Sequence, residues 1–350
     1  MTSGISSDQA GARRAAVTLR DVAREAGVGL GTASRALAPG SQYVADDVRS
    51  RVLAVAERLS YRPNASARAT TTGSTPTIAV LVSDIRDPYY AQLVHGAIGK
   101  ARGDGQMVTI TGTDHAVDDE VRVIRMLRSQ RPRALVLTGP RTGSPASLLR
   151  ELERYERDGG RVVVAGDDDL PFDTAVVPRQ EGARLLVTTL RELGYRSIAL
   201  IRPAADTADV RAWEAGIVQG ARAAGVRVDV VRTPGVERSR DGGRAATAEL
   251  LDDGRPDVDA VVAATDTMAL GALSAVRDAG LEPGRDLGVA GFDDVVDADD
   301  VVPGLTSVDL SLEAIGGAAV DLALLAPAAE RRRIEFDARV AVRGSTPPRG

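Results

Sequence analysis

Between Val17 and Leu37 the chain strings together small residues, short hydroxyls and three arginines, a composition suited to gripping a polyanion. The hydroxyls of Thr32 and Ser34 can donate to phosphate oxygens, contacts that position a protein on DNA without specifying sequence. Arg35 has the reach and the planar fork to pair with the acceptor edge of guanine in a major groove. Leu30 and Gly31 precede these residues on the same short helix and complete the candidate reading surface, with Thr18 at the start of the helix before it. On composition alone, a three-helix interaction module with a solvated basic face fits equally well. Other chemistries are poorly provided for. There is no cysteine, His95 and His115 are the only imidazoles, and Asp167-Asp168-Asp169 has the look of a solvated acidic run. No G-x-S-x-G, phosphate-binding Walker loop or zinc spacing occurs, so an enzyme is not expected, nor any cofactor or metal.

The elements that must carry these residues are legible. Thr18 reads as an N-cap with Asp21 at the capping-box position. Leu19, Val22, Ala23 and Ala26 form the buried stripe of the helix that follows, and Gly27 supplies the left-handed residue of a tight turn. A second helix runs from about Gly29 to Leu37, and Pro39-Gly40-Ser41 breaks the chain. A third, Asp46 to Leu59, aligns Val48, Val52, Val55, Ala56 and Leu59 on one face. Residues 1–72 hold ten arginines against six acids, a local charge of +4, although the whole chain carries −5. The remainder is therefore at −9, and a basic head on an acidic body is the electrostatic footprint of a DNA reader attached to something else.

Beyond Thr77 the pattern changes to apolar strands alternating with helices. The strands are expected at 77–82, 134–137, 162–165, 197–201, 260–263 and 287–290, with a last one over Ile334–Val342. The helices are expected at 89–102, 120–129, 181–193, 212–224, 243–251 and 268–279. Wholly apolar strands imply parallel sheets covered on both faces, and so long a stretch implies two lobes. The expected organisation is a disordered arm over 1–16, a helix-turn-helix domain over 17–62, a hinge and linker over 63–76, a two-lobed α/β domain over 77–343 and a tail over 344–350. No leader-like apolar segment opens the sequence and no apolar run is long enough to span a bilayer, so a cytoplasmic protein is expected.

The segment Thr18-Leu19-Arg20-Asp21-Val22-Ala23, with Ala26-Gly27-Val28, Thr32-Ala33-Ser34-Arg35 and Leu59-Ser60-Tyr61-Arg62-Pro63-Asn64, resembles the lactose-repressor (LacI) family of bacterial transcriptional regulators. The likeness continues through Asp87-Pro88-Tyr89-Tyr90, Glu181-Gly182-Ala183, Glu192-Leu193-Gly194-Tyr195-Arg196, Asp266-Thr267-Met268-Ala269-Leu270-Gly271, Gly291-Phe292-Asp293-Asp294 and Leu305-Thr306-Ser307-Val308. The resemblance implies a helix-turn-helix head, a hinge, and a two-lobed body like a periplasmic binding protein. It further implies a homodimer that reads a near-palindromic operator under the control of a small-molecule effector such as a sugar or glycoside. A hinge helix from Asn64 to about Thr70, including Ala67 and Arg68, would enter the minor groove. The chain would cross between the lobes near Val177, Phe292 and Thr306. The effector would lie against Asp84, Tyr89, Tyr90, Trp213 and Asp266.

Several positions depart from the family pattern. Thr70 stands where a leucine wedge is usual, Gly31 where a side chain normally reads bases, and Gly29 where a serine caps. In the body Trp213 takes the place of a ligand-binding arginine, Thr265 that of an asparagine, and Pro178-Arg179 that of an acid-amide pair. These changes imply a cleft stripped of hydrogen-bonding groups, with Trp213 offered as a stacking wall or buried as core. A glycoside, oligosaccharide or aromatic ligand is then expected over a free hexose.

Overall fold

The computed structural model describes residues 17–37, 44–62, 73–113, 117–140, 146–167, 170–231, 236–252 and 257–349, which fall into two compact units divided at Gly73/Ser74. The hinge residues Asn64, Ala67, Arg68 and Thr70, and the arm over 1–16, lie outside the described residues.

The head consists of α1 (Leu19–Glu25), α2 (Leu30–Ala36) and α3 (Asp46–Arg58). The Asp21 carboxylate accepts from both the backbone N–H (3.0 Å) and the hydroxyl (2.7 Å) of Thr18, fixing the start of α1. Gly27 has φ +66° and turns the chain into α2. Ala23, Ala33 and Ala36 let the first two helices approach closely, and Val22, Val52, Val55 and Ala56 fill the space between them and α3. Every residue expected on the inner face of α3 belongs to this cluster.

The first lobe of the body contains β1 (Thr75–Val82), α4 (Pro88–Gly103), β2 (Met107–Gly112), α5 (Val117–Gln130), β3 (Pro132–Leu137), α6 (Ala146–Arg157), β4 (Arg161–Gly166) and β5 (Asp173–Val176). The second contains α7 (Arg179–Glu192), β6 (Ser197–Ile201), α8 (Ala208–Ala224), β7 (Arg227–Val231), α9 (Arg240–Leu251), β8 (Ala260–Ala263), α10 (Asp266–Asp278), β9 (Gly288–Ala290) and α11 (Asp297–Asp300). The closing segment supplies β10 (Ser307–Asp309), α12 (Leu312–Leu324), β11 (Arg333–Glu335) and β12 (Arg339–Ala341). The first sheet has strand order β11-β5-β4-β3-β1-β2 and the second β7-β6-β8-β9, with every pairing parallel. Helices cover both faces, as parallel sheets require. Some helix pairs cross at glycine: a Cβ on Gly96 of α4 would meet the Glu313 carbonyl oxygen at 1.9 Å, and one on Gly316 of α12 the Leu93 carbonyl oxygen at the same distance.

Three expectations are corrected. The segment Ile334–Val342 is not one strand. Its first part, β11, pairs parallel with β5 in the first lobe, and its second, β12, pairs antiparallel with β10 in the second. The interlobe crossings shift accordingly. One lies near Val177 as expected. Phe292 and Thr306 both stay within the second lobe, tied by the bridges Ala290↔Thr306 and Asp293↔Asp309. The second crossing follows β10, because α12 packs on α4 and the first sheet, and the third lies between β11 and β12. The chain end is also no loose tail. Ser345 and Thr346 are fully buried, the Val289 N–H donates to the Ser345 carbonyl, and Arg349 pairs with Asp259 and stacks over Tyr195. No helix among the described residues is long and apolar enough to cross a membrane.

Candidate DNA-reading face and effector cleft

On the head, Thr18, Leu30, Gly31, Ser34 and Arg35 are exposed and Thr32 is half-buried, whereas Ala33 and Ala36 face inward. Helical spacing separates these sets: the inward alanines anchor α2, and the remaining positions form one outward face. Leu30 is 46% exposed at the first turn of α2, an apolar side chain that its own unit leaves without cover. Arg35 lies back along the helix, its Nε donating to the Gly31 carbonyl at 3.2 Å, so extending it outward breaks one weak bond. The N-cap is Gly29, which provides no side-chain acceptor. The Thr32 N–H donates to the Gly29 carbonyl at 2.9 Å, which leaves the N–H groups of Leu30 and Gly31 at this helix start for an outside acceptor.

The carboxyl ends of parallel strands in the two lobes face one another, the position at which open α/β sheets bind ligands. The groups gathered there come from many elements. Tyr89 and Tyr90 enter from the first turn of α4, where Asp87 caps the helix by accepting from the Tyr89 N–H; their rings meet edge-on at 5.0 Å. Asp167 follows β4, and Arg179 opens α7 directly after the first crossing. Asp209 lies in the first turn of α8, Arg238 precedes α9, and Asp293 follows β9. Arg179 Nη2 donates to the Tyr89 hydroxyl at 3.0 Å, its Nε lies 3.5 Å from Asp167 Oδ1, and its Nη1 lies 3.6 Å from Asp293 Oδ1. Arg238 forms an ion pair with Asp209.

Burial dominates the electrostatics of this cluster. It opposes the charge on Arg179, but the Tyr89 hydroxyl with Asp167, Asp209 and Asp293 outweighs it and holds the guanidinium firmly protonated. Burial works to raise Asp209, yet Arg238 and Arg179 override it and leave the carboxyl below its ordinary value. The Asp293 carboxyl is pushed well above the carboxylate range by burial, against the pull of Arg179. Arg179 Nε, Asp209 Oδ1, Asp293 Oδ1 and Trp213 Nε1 are buried without a hydrogen-bond partner among the described residues. Such groups are costly and are normally satisfied.

Sequence reasoning missed Arg179, Asp209, Arg238 and Asp293 as site residues, although Asp293 stood within a quoted motif. The premise of a cleft stripped of hydrogen-bonding groups is corrected: two guanidiniums and three carboxylates are brought together there. Trp213 is only 2% exposed and belongs to the main core cluster, so in this conformation no ligand can stack on its ring. Asp84 spends its carboxylate on Arg86, whose Nε and Nη2 donate at 3.0 and 2.8 Å.

Asp266 is fully buried, and its two oxygens accept from the Val295 N–H (2.8 Å) and the Ser307 hydroxyl (2.6 Å). It thereby braces β10 just before the second crossing. The cap of α10 is Thr265, which accepts from the Met268 N–H. Burial pushes the Asp266 carboxyl up to about 7. Because the folded protein holds this proton more tightly than the unfolded chain, the contribution to stability is full below about pH 4 and lost as pH rises to about 7. Denaturant unfolding of wild type and Asp266→Asn should therefore diverge, wild type losing stability relative to the variant between about pH 4 and about pH 7. Parallel pH profiles would show that Asp266 does not titrate in that window.

Comparison with known proteins agrees with this geometry. Residues 18–64 match the family described as bacterial regulatory proteins, lacI family, and residues 187–346 match a periplasmic binding protein-like domain. The transcriptional regulator CelR of Thermobifida fusca is 32% identical over 311 residues, covering 87% of this chain and 90% of that protein. The lac repressor dimer bound to operator and the anti-inducer ONPF superposes with a TM-score of 0.79 at 25% identity, over 94% of this chain and 99% of that one. A CelR–cellobiose complex superposes with a TM-score of 0.66 at 28% identity, again over 94% and 99%. With a helix-turn-helix head, a two-lobed parallel α/β body and relatives of this kind, the chain belongs to the bacterial lacI regulatory family and is a DNA-binding transcriptional regulator.

Proposed function

We propose that this protein is a cytoplasmic homodimeric repressor, not an enzyme, whose operator affinity is set by a carbohydrate-related effector held between the lobes of the body. The observation that carries the effector half is the set of buried, unbonded donors and acceptors converging where the sheets' carboxyl ends meet. Hydroxyl groups, which both donate and accept, are the natural complement. The relative solved with cellobiose supports a sugar of this kind.

The head, over residues 17–62, would read DNA through Leu30, Gly31, Thr32, Ser34 and Arg35, with Thr18 on the backbone. The hinge over 63–76 would contribute Asn64, Ala67, Arg68 and Thr70 to the minor groove. Pairing of two copies is supported by an apolar groove of about 270 Å³ in the first lobe, lined by Tyr90, Val94, Ile98 and Ile110. Ile85 at its edge is 67% exposed and Met107 on the neighbouring edge strand 62%, apolar surface that a second copy would cover.

The DNA half is tested at Arg35. Arg35→Ala should cost about 1–3 kcal/mol of operator binding and relax preference at one base pair per half-site, measured by fluorescence anisotropy on duplexes varied at single positions. A uniform loss on every duplex would reassign Arg35 to the phosphate backbone.

A further inference from the structure

Arg179 is the residue on which both lobes converge. Its backbone belongs to the second lobe, at the first position of α7, yet among the described residues its side chain donates a hydrogen bond to the Tyr89 hydroxyl of the first lobe. The guanidinium also lies over the Tyr89 ring, its central carbon 5.1 Å from the centroid. Towards Asp167 in the first lobe and Asp293 in the second it stands off at 3.5 and 3.6 Å, longer than charge-assisted hydrogen bonds normally run. Arg179 is 7% exposed and Asp293 3% exposed. Polar groups so deeply buried are expected to be fully bonded, and a buried guanidinium tightly paired as well. Here Arg179 Nε and Asp293 Oδ1 are both unbonded among the described residues, one a donor and one an acceptor. Arg238, the second guanidinium, differs: it is tied to Asp209 within its own lobe.

We propose that Arg179 is the specificity-determining residue of the cleft: without effector it latches the lobes through Tyr89, and the effector is a neutral, hydroxyl-rich molecule that bridges Arg179 and Asp293. A hydroxyl can accept from Arg179 Nε while donating to Asp293 Oδ1, which no single donor-only or acceptor-only group can do. Anionic sugars fit less well, because Asp87, Asp167, Asp209 and Asp293 all act on this cluster and both guanidiniums already face carboxylates. A cavity of about 530 Å³ lies between the first and third crossings and is bordered by Asp167, Val177, Arg179 and Phe336. It opens onto Arg179 beside the segments that cross between the lobes. The ligand half of this proposal rests on the reading of the cleft as the effector site; the latch does not.

The two halves are tested separately on the full-length protein. Without ligand, hydrogen exchange is compared among wild type, Arg179→Met and Tyr89→Phe. The second variant removes a single oxygen and so guards against a folding defect in the first. Both should raise exchange at the start of α4 and of α7 by about tenfold or more, with the β3 amides unchanged. Wild-type exchange in either variant would overturn the latch. Calorimetric titration with cellobiose, mannitol and glucuronate tests the ligand half. Binding of a neutral probe that weakens by about tenfold or more in Arg179→Met, with glucuronate weaker than the neutral probes, supports it. Equal binding in the variant, or preference for glucuronate, would overturn the specificity role. Failure of all three probes to bind wild type would count against the cleft as a carbohydrate site and overturn the ligand half, while the exchange result still decides the latch.

Discussion

Operator affinity is expected to fall roughly 10³-fold or more as salt rises from about 50 to about 200 mM, the loss that goes with six or more neutralised phosphates. The expectation follows from where the charge sits. Ten arginines against six acids occupy residues 1–72, and the rest of the chain is acidic enough to bring the total to −5. Arg20, Arg35 and Arg62 are exposed on the head, while Arg24 and Arg58 are partly engaged by Asp21 and Glu25. Exposed pairs of that kind are weak, so both can be recruited by a phosphate. In the proposed dimer, two heads double the number of contacts. Since the rest of the chain is net acidic, the attraction is expected from the basic N-terminal region. Anisotropy of a labelled duplex across a salt series measures the slope directly, and a flat profile would contradict DNA binding by this head.

The second large effect is on stability. Trp213→Ala should destabilise the body by about 3–5 kcal/mol, the usual range for deleting a large aromatic from a packed core. Trp213 is among the largest fully buried side chains and shares the inner face of α8 with Asp209, Gly216 and Ile217. A shift of the urea midpoint with little change in slope, followed by circular dichroism, is the expected signature. A stacking wall behaves differently, because its removal weakens the ligand and barely touches the midpoint. An unshifted midpoint would return Trp213 to the role of a ligand platform.

Much of the architecture was legible because the decisive signals are local. The head was readable from Thr18, Gly27 and the valines of α3, whose capping, turn and helical spacing act within a few residues. The central strands β6 and β8 were readable as unbroken apolar runs, because a strand covered on both faces has no polar side. Two of the strands that escaped are of another kind. β2 and β7 lie at the free edges of their sheets and carry Thr109, Thr111, Arg227 and Asp229 among their valines, so no apolar run marks them. Gly316-Gly317 looks like a helix breaker, yet Gly316 sits inside α12 because only glycine fits against the Leu93 carbonyl. The cleft was hidden for a related reason. Arg179, Asp209, Arg238 and Asp293 lie on separate elements of the second lobe, and their convergence is a product of tertiary packing that no local pattern encodes. Trp213 marked the right helix, but its burial depends on what packs opposite.

Sequence-specific reading by paired heads is the central claim, and binding selection from a random duplex pool tests it most directly. Full-length protein should enrich one near-palindromic motif, its half-sites separated by a distance that two α2 helices can span, and Arg35→Ala should lose one defined base pair in each half. Recovery of no motif, or of a single asymmetric half-site, would contradict a dimer that reads its operator through these residues.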